Sequence, residues 1–390
     1  MQLDLDSLRR ADIIVVGSGF FGATIAERAA NELGAKVCVI EKRRHLGGNS
    51  HSETCPQTGI ECHTYGTHIF HTNSRDVWDY INKFTSFTGY RHHVMTNHKG
   101  IIYQLPINLG TMCAFFGRHL SPKQARALIA EQIARERFDA PRNFEEKAIS
   151  LIGRPLYEAF IEGYTRKQWQ TDPRELPGEI ITRLPVRYTF NSRYFSDHYE
   201  GMPLNGYTAI FDRMFNAESI GFSTGIDWFD LDYTPASHQL LIYTGPIDRF
   251  FNYQCGELGW RTIDFDREIH AMADFQGISV MNYADADILF TRIHEFRHLH
   301  PERSYKDEIT VIFKEYSRKA QKNDEPYYPI GTMPDQTTFH KYRAMSDHLE
   351  NVIMGGRLGD YRYYDMHQAI GAALKCFSTK VRCFLENRRA

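Results

Sequence analysis

"ADIIVVGSGFFGATIAERAANELGAKVCVIEKR", Ala11 to Arg43, decides the fold. Ile13 to Val16 is a wholly apolar, β-branched run, which reads as a strand buried on both faces. Gly17-Ser18-Gly19-Phe20-Phe21-Gly22 follows at once. Ala23, Ala26, Ala29, Ala30 and Leu33 then recur with helical spacing, Gly34 stops the helix, and Lys36 to Ile40 makes the next strand. Between strand and helix, GxGxxG becomes a dinucleotide fingerprint. Its glycines let the backbone approach a pyrophosphate held at the helix N-terminus. Glu41 ends the second strand, where a carboxylate can accept hydrogen bonds from a ribose.

The continuation selects the dinucleotide. "EKRRHLGGNS", Glu41 to Ser50, sets a basic turn and Gly47-Gly48 directly after the ribose-binding acid. This extension resembles flavoproteins that bind FAD on a glutathione-reductase-like fold.

Further out, the texture changes twice. "SPKQARALIAEQIARERF" opens with Ser121 as N-cap and Pro122 at the first position, and places Ala125, Leu128, Ile129 and Ile133 on one face. Asn143 caps a second helix that Gly153 ends, and Pro155 starts a third, "PLYEAFIEGYTRKQW". Pro173, Pro177, Gly178 and Pro185 then break the chain into a loop. Val186, Tyr188 and Phe190 alternate with Arg187, Thr189 and Asn191, which predicts a strand with one polar face. "QLLIYTGP", "GISVMNY" and "EITVIFKEY" predict further strands. "NVIMGGRLGDYRYYDMHQAI" runs strand, glycine turn, helix, and returns to the cofactor domain.

Composition excludes several functions. Net charge is −2, so a polyanion-binding surface is not expected and any phosphate site is a discrete pocket. The seven cysteines form no CxxC pair, which fits reduced thiols in the cytoplasm. No signal peptide or membrane span is expected. His63, His68 and His71 invite a metal reading, but apart from adjacent Cys62 nothing completes a ligand set, and no metal is expected.

The chain resembles the bacterial UDP-galactopyranose mutase family over nearly its whole length. The stretches that carry this include "VVGSGFFG", "EKRRHLGGNSHSE", "YGTHIFHT", "EEKAISLIGRPLYEAFIEGYTRKQW", "ITRLPVRYTFNSRYF", "GPIDRFF", "GWRTIDF", "MNYADADILFTRIHEF", "EYSR", "DEPYYPI" and "GGRLGDYRYYDMHQAI". The resemblance implies a mixed α/β fold with three parts. These are a Rossmann-like FAD domain (1–85, 205–250 and 340–390), a helical domain with a mobile loop (106–178), and a twisted antiparallel sheet (86–105, 179–204 and 251–339). It implies a redox-neutral isomerisation of UDP-galactopyranose and UDP-galactofuranose, for cell-wall polysaccharide, by a cytoplasmic homodimer. In the course proposed for the family, reduced FAD displaces UDP from the sugar through a covalent N5 adduct.

The resemblance also implies residue roles. Arg183 and Arg292 hold the diphosphate and, with His71 and Asp365, form the candidate catalytic set. Arg183, just past the broken stretch, fits a loop that closes on substrate. Tyr194, Tyr328 and Tyr363 donate to the phosphates, Phe160, Tyr164, Thr165 and Trp169 form the uridine end, and Asn282 faces substrate. Gly17, Ser18, Gly19, Phe20, Phe21, Gly22, Glu41, Lys42, Gly48, Asn49, His68, Ile69, Arg357, Asp365 and Met366 contact the cofactor. Asp360 and Tyr364 depart from the family, where a small hydroxyl residue and Leu are common. The FAD motifs alone also fit an amine-oxidase-like oxidoreductase, and a binding module with a structural flavin is a third reading.

Overall fold

A computed structural model describes residues 5–136, 138, 140–183 and 186–389. The opening motif forms as its residues dictate. Ile13–Val16 pairs in parallel with Val37–Glu41 on one side and Leu240–Tyr243 on the other. Ile220–Thr224 and Val352–Met354 extend this to a five-stranded, all-parallel sheet. The chain therefore returns to the cofactor domain twice after leaving it. Phe20–Leu33 packs its alanine face on the sheet, and Gly34 ends it in the left-handed conformation at φ 61°. Gly22 is where strand and helix touch. A Cβ there would lie 2.1 Å from the Gly17 carbonyl oxygen and 2.9 Å from Val15 Cγ1.

The second sheet has seven strands, in the order Tyr328–Pro329, Trp260–His270, Thr310–Lys319, Arg292–Glu295, Val280–Tyr283, Val94–His98, Ile101–Leu105. Its pairings are antiparallel with one exception: Val280–Tyr283 runs parallel to Val94–His98. The expected all-antiparallel sheet is corrected to that extent. The reason is connectivity, since the helical layer is inserted between these strands and supplies the long crossover a parallel pair requires.

That layer contains Leu109–Phe115, Pro122–Ala134, Phe144–Ile152 and a continuous run from Arg154 to Trp169. Ser121 and Gln124 form a capping box, and the Asn143 side chain accepts from the Glu146 amide. Ala125, Ile129, Phe144, Ile149 and Leu156 share its core. The last run passes through a π-turn at Glu158–Glu162, a widening that often marks function.

The strand expected at Val186, Tyr188 and Phe190 does not form. The Arg187 guanidinium donates to the backbone carbonyls of Asn191 and Arg193, which curls the segment back on itself. Val186 and Tyr188 still pack on the helical core, while Phe190 is exposed.

Candidate active site

A cavity of about 740 Å³ opens at the carboxyl ends of the parallel strands. That is the position a dinucleotide takes on such sheets. Gly17, Gly19, Phe20, Phe21 and Gly22 line it from the glycine turn. Glu41, Lys42, Gly48 and Asn49 line it from the next loop, and Arg357 and Met366 from the C-terminal return. Its size and its glycine floor fit a flavin dinucleotide. Gly19 faces open space, and a Cβ on Gly48 would come within 3.2 Å of the Gly19 Cα. Ser18 does not reach the cavity. Its amide and hydroxyl both donate to Glu41 Oε2, at 2.8 and 2.7 Å. Ser18 thereby fixes the acid, whose other oxygen accepts from the Arg43 amide at 2.9 Å.

Sequence reading missed the far end of this cavity. Arg249 pairs with Asp227 at 2.7 Å and covers the Phe229 ring, beside Lys42. Arg43 stacks on Tyr65 at 4.3 Å and pairs with Glu325. The available signal was "GPIDRFF", which had no role attached to it. Tyr364 also lines the cavity, and its hydroxyl donates to Asp360 at 3.1 Å. The two departures from the family pattern are thus partners of each other. Burial raises the Asp360 carboxyl above its usual range.

Arg292 centres the second half of the site. It lies on the Arg292–Glu295 strand, directly opposite Asn282 in the ladder. Its guanidinium donates to the Tyr164 hydroxyl, and Nε lies 3.2 Å from Glu315 Oε1. Burial opposes its charge, but Glu315 and the neighbouring phenols Tyr164, Tyr328 and Tyr194 outweigh that and push its pKa well up. Burial likewise works against the Glu315 charge, yet Arg292, His294 and Thr291 hold it down at about 2. The pair is therefore charged at any working pH. Asn282 Oδ1 is buried and has no hydrogen-bond partner among the described residues.

The tyrosines divide. Tyr328 stacks on Tyr363 at 5.6 Å, and Arg357 covers the Tyr363 ring. Burial raises the Tyr328 phenol well above its usual range. Tyr194 is 42% exposed and approaches from the irregular segment. At the uridine end, Phe160 is 3% exposed and packs edge-on against Tyr103 and Phe115, so most of its ring belongs to the helical core. Thr165 is buried and Trp169 half-buried. Burial pushes the Tyr164 phenol up to about 12. The Arg183 side chain lies outside the described residues.

His71 sits on Phe70–Thr72, stacked on Phe195 at 3.7 Å, with Nδ1 2.6 Å from Asp197 Oδ2. His71 also groups with Asp365 and His367, one ligand atom of each lying within 4.8 Å of the others. Asp365 is also the N-cap of Met366–Cys376, in a capping box with Gln368. The His68 amide donates to His63 Nδ1 at 2.9 Å, and its own Nδ1 lies 2.6 Å from the Gly66 carbonyl oxygen. Burial and Arg357 lower the His68 pKa to about 4. Ile69 is 7% exposed and belongs to the main core, and neither it nor His68 is among the residues that line the cofactor cavity.

A dinucleotide cavity, together with a half-buried arginine flanked by phenols, narrows the chemistry, and comparison with known proteins names the family. The family model described as UDP-galactopyranose mutase matches residues 159–363, which include Arg292, Asn282, Tyr328 and Tyr363. The chain belongs to the UDP-galactopyranose mutase family. A model of the NAD(P)-binding Rossmann-like domain matches residues 15–84. A probable UDP-galactopyranose mutase of Klebsiella pneumoniae is 41% identical over 368 residues, covering 94% of each chain. The dTDP-fucopyranose mutase of Escherichia coli is 38% identical, covering 93% of this chain and 97% of that one. A crystal structure of reduced UDP-galactopyranose mutase superposes with a TM-score of 0.72 over 96% of both chains at 15% identity, which shows the shared fold. Family membership makes the protein a flavin-dependent isomerase, and the oxidoreductase reading shares the flavin-binding fold without sharing the family. Among the described residues, no helix is long and apolar enough to cross a membrane.

Proposed function

We propose that this protein interconverts UDP-galactopyranose and UDP-galactofuranose, with FAD as its flavin and in the reduced state. One observation carries the reading. The pair of Arg292 with the buried Glu315 sets a half-buried guanidinium opposite Asn282 in the ladder and among three phenols. Bound and reduced, the flavin supplies a nucleophilic ring nitrogen that no side chain can match.

The chain's own residues then have distinct tasks. Charge builds on the diphosphate as the glycosidic bond to UDP breaks, and Arg292 meets it with a fixed cation whose orientation costs little at that moment. Tyr328 stays protonated because burial disfavours its phenolate, so it remains a donor to the phosphates. Tyr363, stacked on it, and Tyr194, at the exposed edge, complete the set, with Arg183 arriving from the broken stretch. Tyr164 and Trp169 present aromatic faces to the uracil, and Thr165 adds a hydroxyl. His71, oriented by Asp197, stands in one cluster with Asp365 and His367, polar groups available to the sugar as its ring opens and closes. Gly17, Gly19 and Gly22 hold the cofactor's pyrophosphate at the helix N-terminus, and Glu41 its ribose. All seven cysteines are free thiols, which fits a cytoplasmic enzyme.

The test incubates reduced, flavin-loaded protein with UDP-galactofuranose and separates the nucleotide sugars by chromatography. UDP-galactopyranose should accumulate to an equilibrium reached from either side. UDP-galactofuranose left intact would refute the reading, and conversion of dTDP-linked fucose alone would move the chain toward its Escherichia coli relative.

A further inference from the structure

Lys167 stands on Gly163–Trp169, among Tyr164, Thr165 and Trp169. Its ammonium donates to the Tyr283 carbonyl at 2.7 Å and to the Phe290 carbonyl at 3.0 Å. These two acceptors mark the ends of one connection between strands. Tyr283 closes Val280–Tyr283 directly after Asn282, and Phe290 stands two residues before Arg292, which opens Arg292–Glu295. A single side chain thus gathers both ends of the connection next to Asn282 and Arg292.

The helix is the fixed partner in this link. At its C-terminal end the Gln168 carbonyl accepts from the Ser317 hydroxyl at 2.7 Å and from Arg261 Nε at 3.0 Å. Arg261 is 2% exposed and also donates to Gln170 Oε1 and Ser317 Oγ. The connection has ties of its own near its first strand. The Ala284 amide donates to the Asn97 carbonyl, and Asp285 accepts from the Lys99 amide and lies 2.6 Å from His98 Nδ1. Leu289, just before Phe290, is 79% exposed, so the second end depends most on Lys167.

The link is made with a charge, yet both of its acceptors are neutral carbonyls. Asp285 and Asp287 act on the ammonium through space rather than by a hydrogen bond, and burial outweighs them and pulls its pKa down to about 8. Lys314, the cation that faces the Phe290 ring from Thr310–Lys319, is occupied by Glu268. A buried ammonium of this kind stabilises the fold no more than an apolar side chain of the same shape. Its contribution is a set distance between the helix and the two strand ends.

We infer that Lys167 is a positioning residue that sets the uridine-side helix against Asn282 and Arg292, so that one nucleotide reaches both. The inference rests on the nucleoside-diphosphate reading of the site. UDP spans the two sides, with its uracil on the helix and its diphosphate at Arg292. Its affinity therefore depends on their spacing, since the second half binds as part of one molecule only when both are in reach. Inorganic pyrophosphate meets the Arg292 side alone, where Glu315 holds the guanidinium.

The experiment titrates flavin-loaded wild type, Lys167→Met and Lys167→Arg at pH 7 with UDP and with inorganic pyrophosphate, and records thermal unfolding. Lys167→Met keeps the length of the side chain and removes its donors. It should bind UDP about tenfold more weakly and pyrophosphate within about twofold of wild type. Flavin content should be unchanged and Tm within about 3 °C. Lys167→Arg, whose guanidinium can bridge two carbonyls, should bring UDP affinity back to within about threefold of wild type. Unchanged UDP affinity in Lys167→Met, or equal weakening of both ligands, overturns the positioning role. If Lys167→Met does not fold, the pH profile carries the test. Wild type should bind UDP about threefold more weakly at pH 9.5 than at pH 7, as the ammonium becomes an amine, while Lys167→Arg keeps its charge and does not change. A flat wild-type profile then overturns the role. UDP failing to bind the wild type at all overturns the functional reading beneath it, which no other outcome does.

Discussion

Gly163→Ala tests how the uridine-side helix is held. Gly163 begins Gly163–Trp169, the segment that carries Tyr164, Thr165 and Trp169, and its backbone is ordinary right-handed helix at φ −63°. Helix propensity alone therefore predicts that alanine stabilises, by about 1 kcal/mol. The structure predicts the opposite. A Cβ would lie 2.3 Å from the Ala284 carbonyl oxygen and 3.1 Å from the Ala286 amide nitrogen. Those atoms belong to the backbone two and four residues past Asn282 and cannot rotate away. Ordinary contact begins near 3.4 Å, so the helix and the Ala284–Ala286 segment must part by about 1 Å. Lys167 resists this, since its ammonium bridges the carbonyls of Tyr283 and Phe290 at 2.7 and 3.0 Å. Overpacking of this kind costs about 1–3 kcal/mol. A 1 Å displacement of positioning residues can cost on the order of 100-fold in turnover efficiency. Thermal unfolding and UDP titration of Gly163→Ala should show a lower Tm and at least tenfold weaker UDP binding, with flavin still bound. A raised Tm with wild-type UDP affinity would refute the close approach.

Three other outcomes follow from the geometry. Arg292→Ala leaves Glu315 buried without its counter-charge and should destabilise by about 3–5 kcal/mol in urea unfolding, whereas adding Glu315→Gln should recover much of the stability but none of the activity. His92 and His51 are held neutral by burial, with pKa values lowered to about 3 and about 4. Their contribution is complete above the unfolded value near 6.5 and is lost as pH falls toward 3–4, so urea unfolding at pH 5 should show roughly 2–4 kcal/mol less stability than at pH 7. Tyr364→Phe removes the hydrogen bond to Asp360 and should cost about 1 kcal/mol of stability, whereas a measurable gain would show that the Asp360–Arg343 contact suffices.

How legible the protein was in its sequence depended on how local each feature is. The strand–turn–helix at Ile13 to Leu33 was readable because four apolar residues, three glycines and an alanine face lie within one contiguous window. Helix caps at Ser121 and Asn143 were readable for the same reason, since each bonds an amide three residues on. The Val186–Phe190 alternation misled because periodicity says nothing of where Arg187 sends its guanidinium. Ser18 was placed against the cofactor by its position in the turn, yet Glu41, 23 residues away, claims its donors. The surroundings of Arg292 were not legible at all: "EYSR" gave no sign that its glutamate would lie between His294 and Arg292. Asp197, one acid in an irregular segment, likewise carried no signal of its bond to His71.

The most direct test of the central claim counts reductant against product. Flavin-loaded protein is reduced once, excess reductant is removed without air, and a large excess of UDP-galactofuranose is added. Many molecules of UDP-galactopyranose should form per flavin while the flavin spectrum stays reduced, and oxidised protein should be inactive. Product limited to one equivalent, with the flavin oxidised in step, would contradict a redox-neutral isomerisation and return the protein to the oxidoreductases.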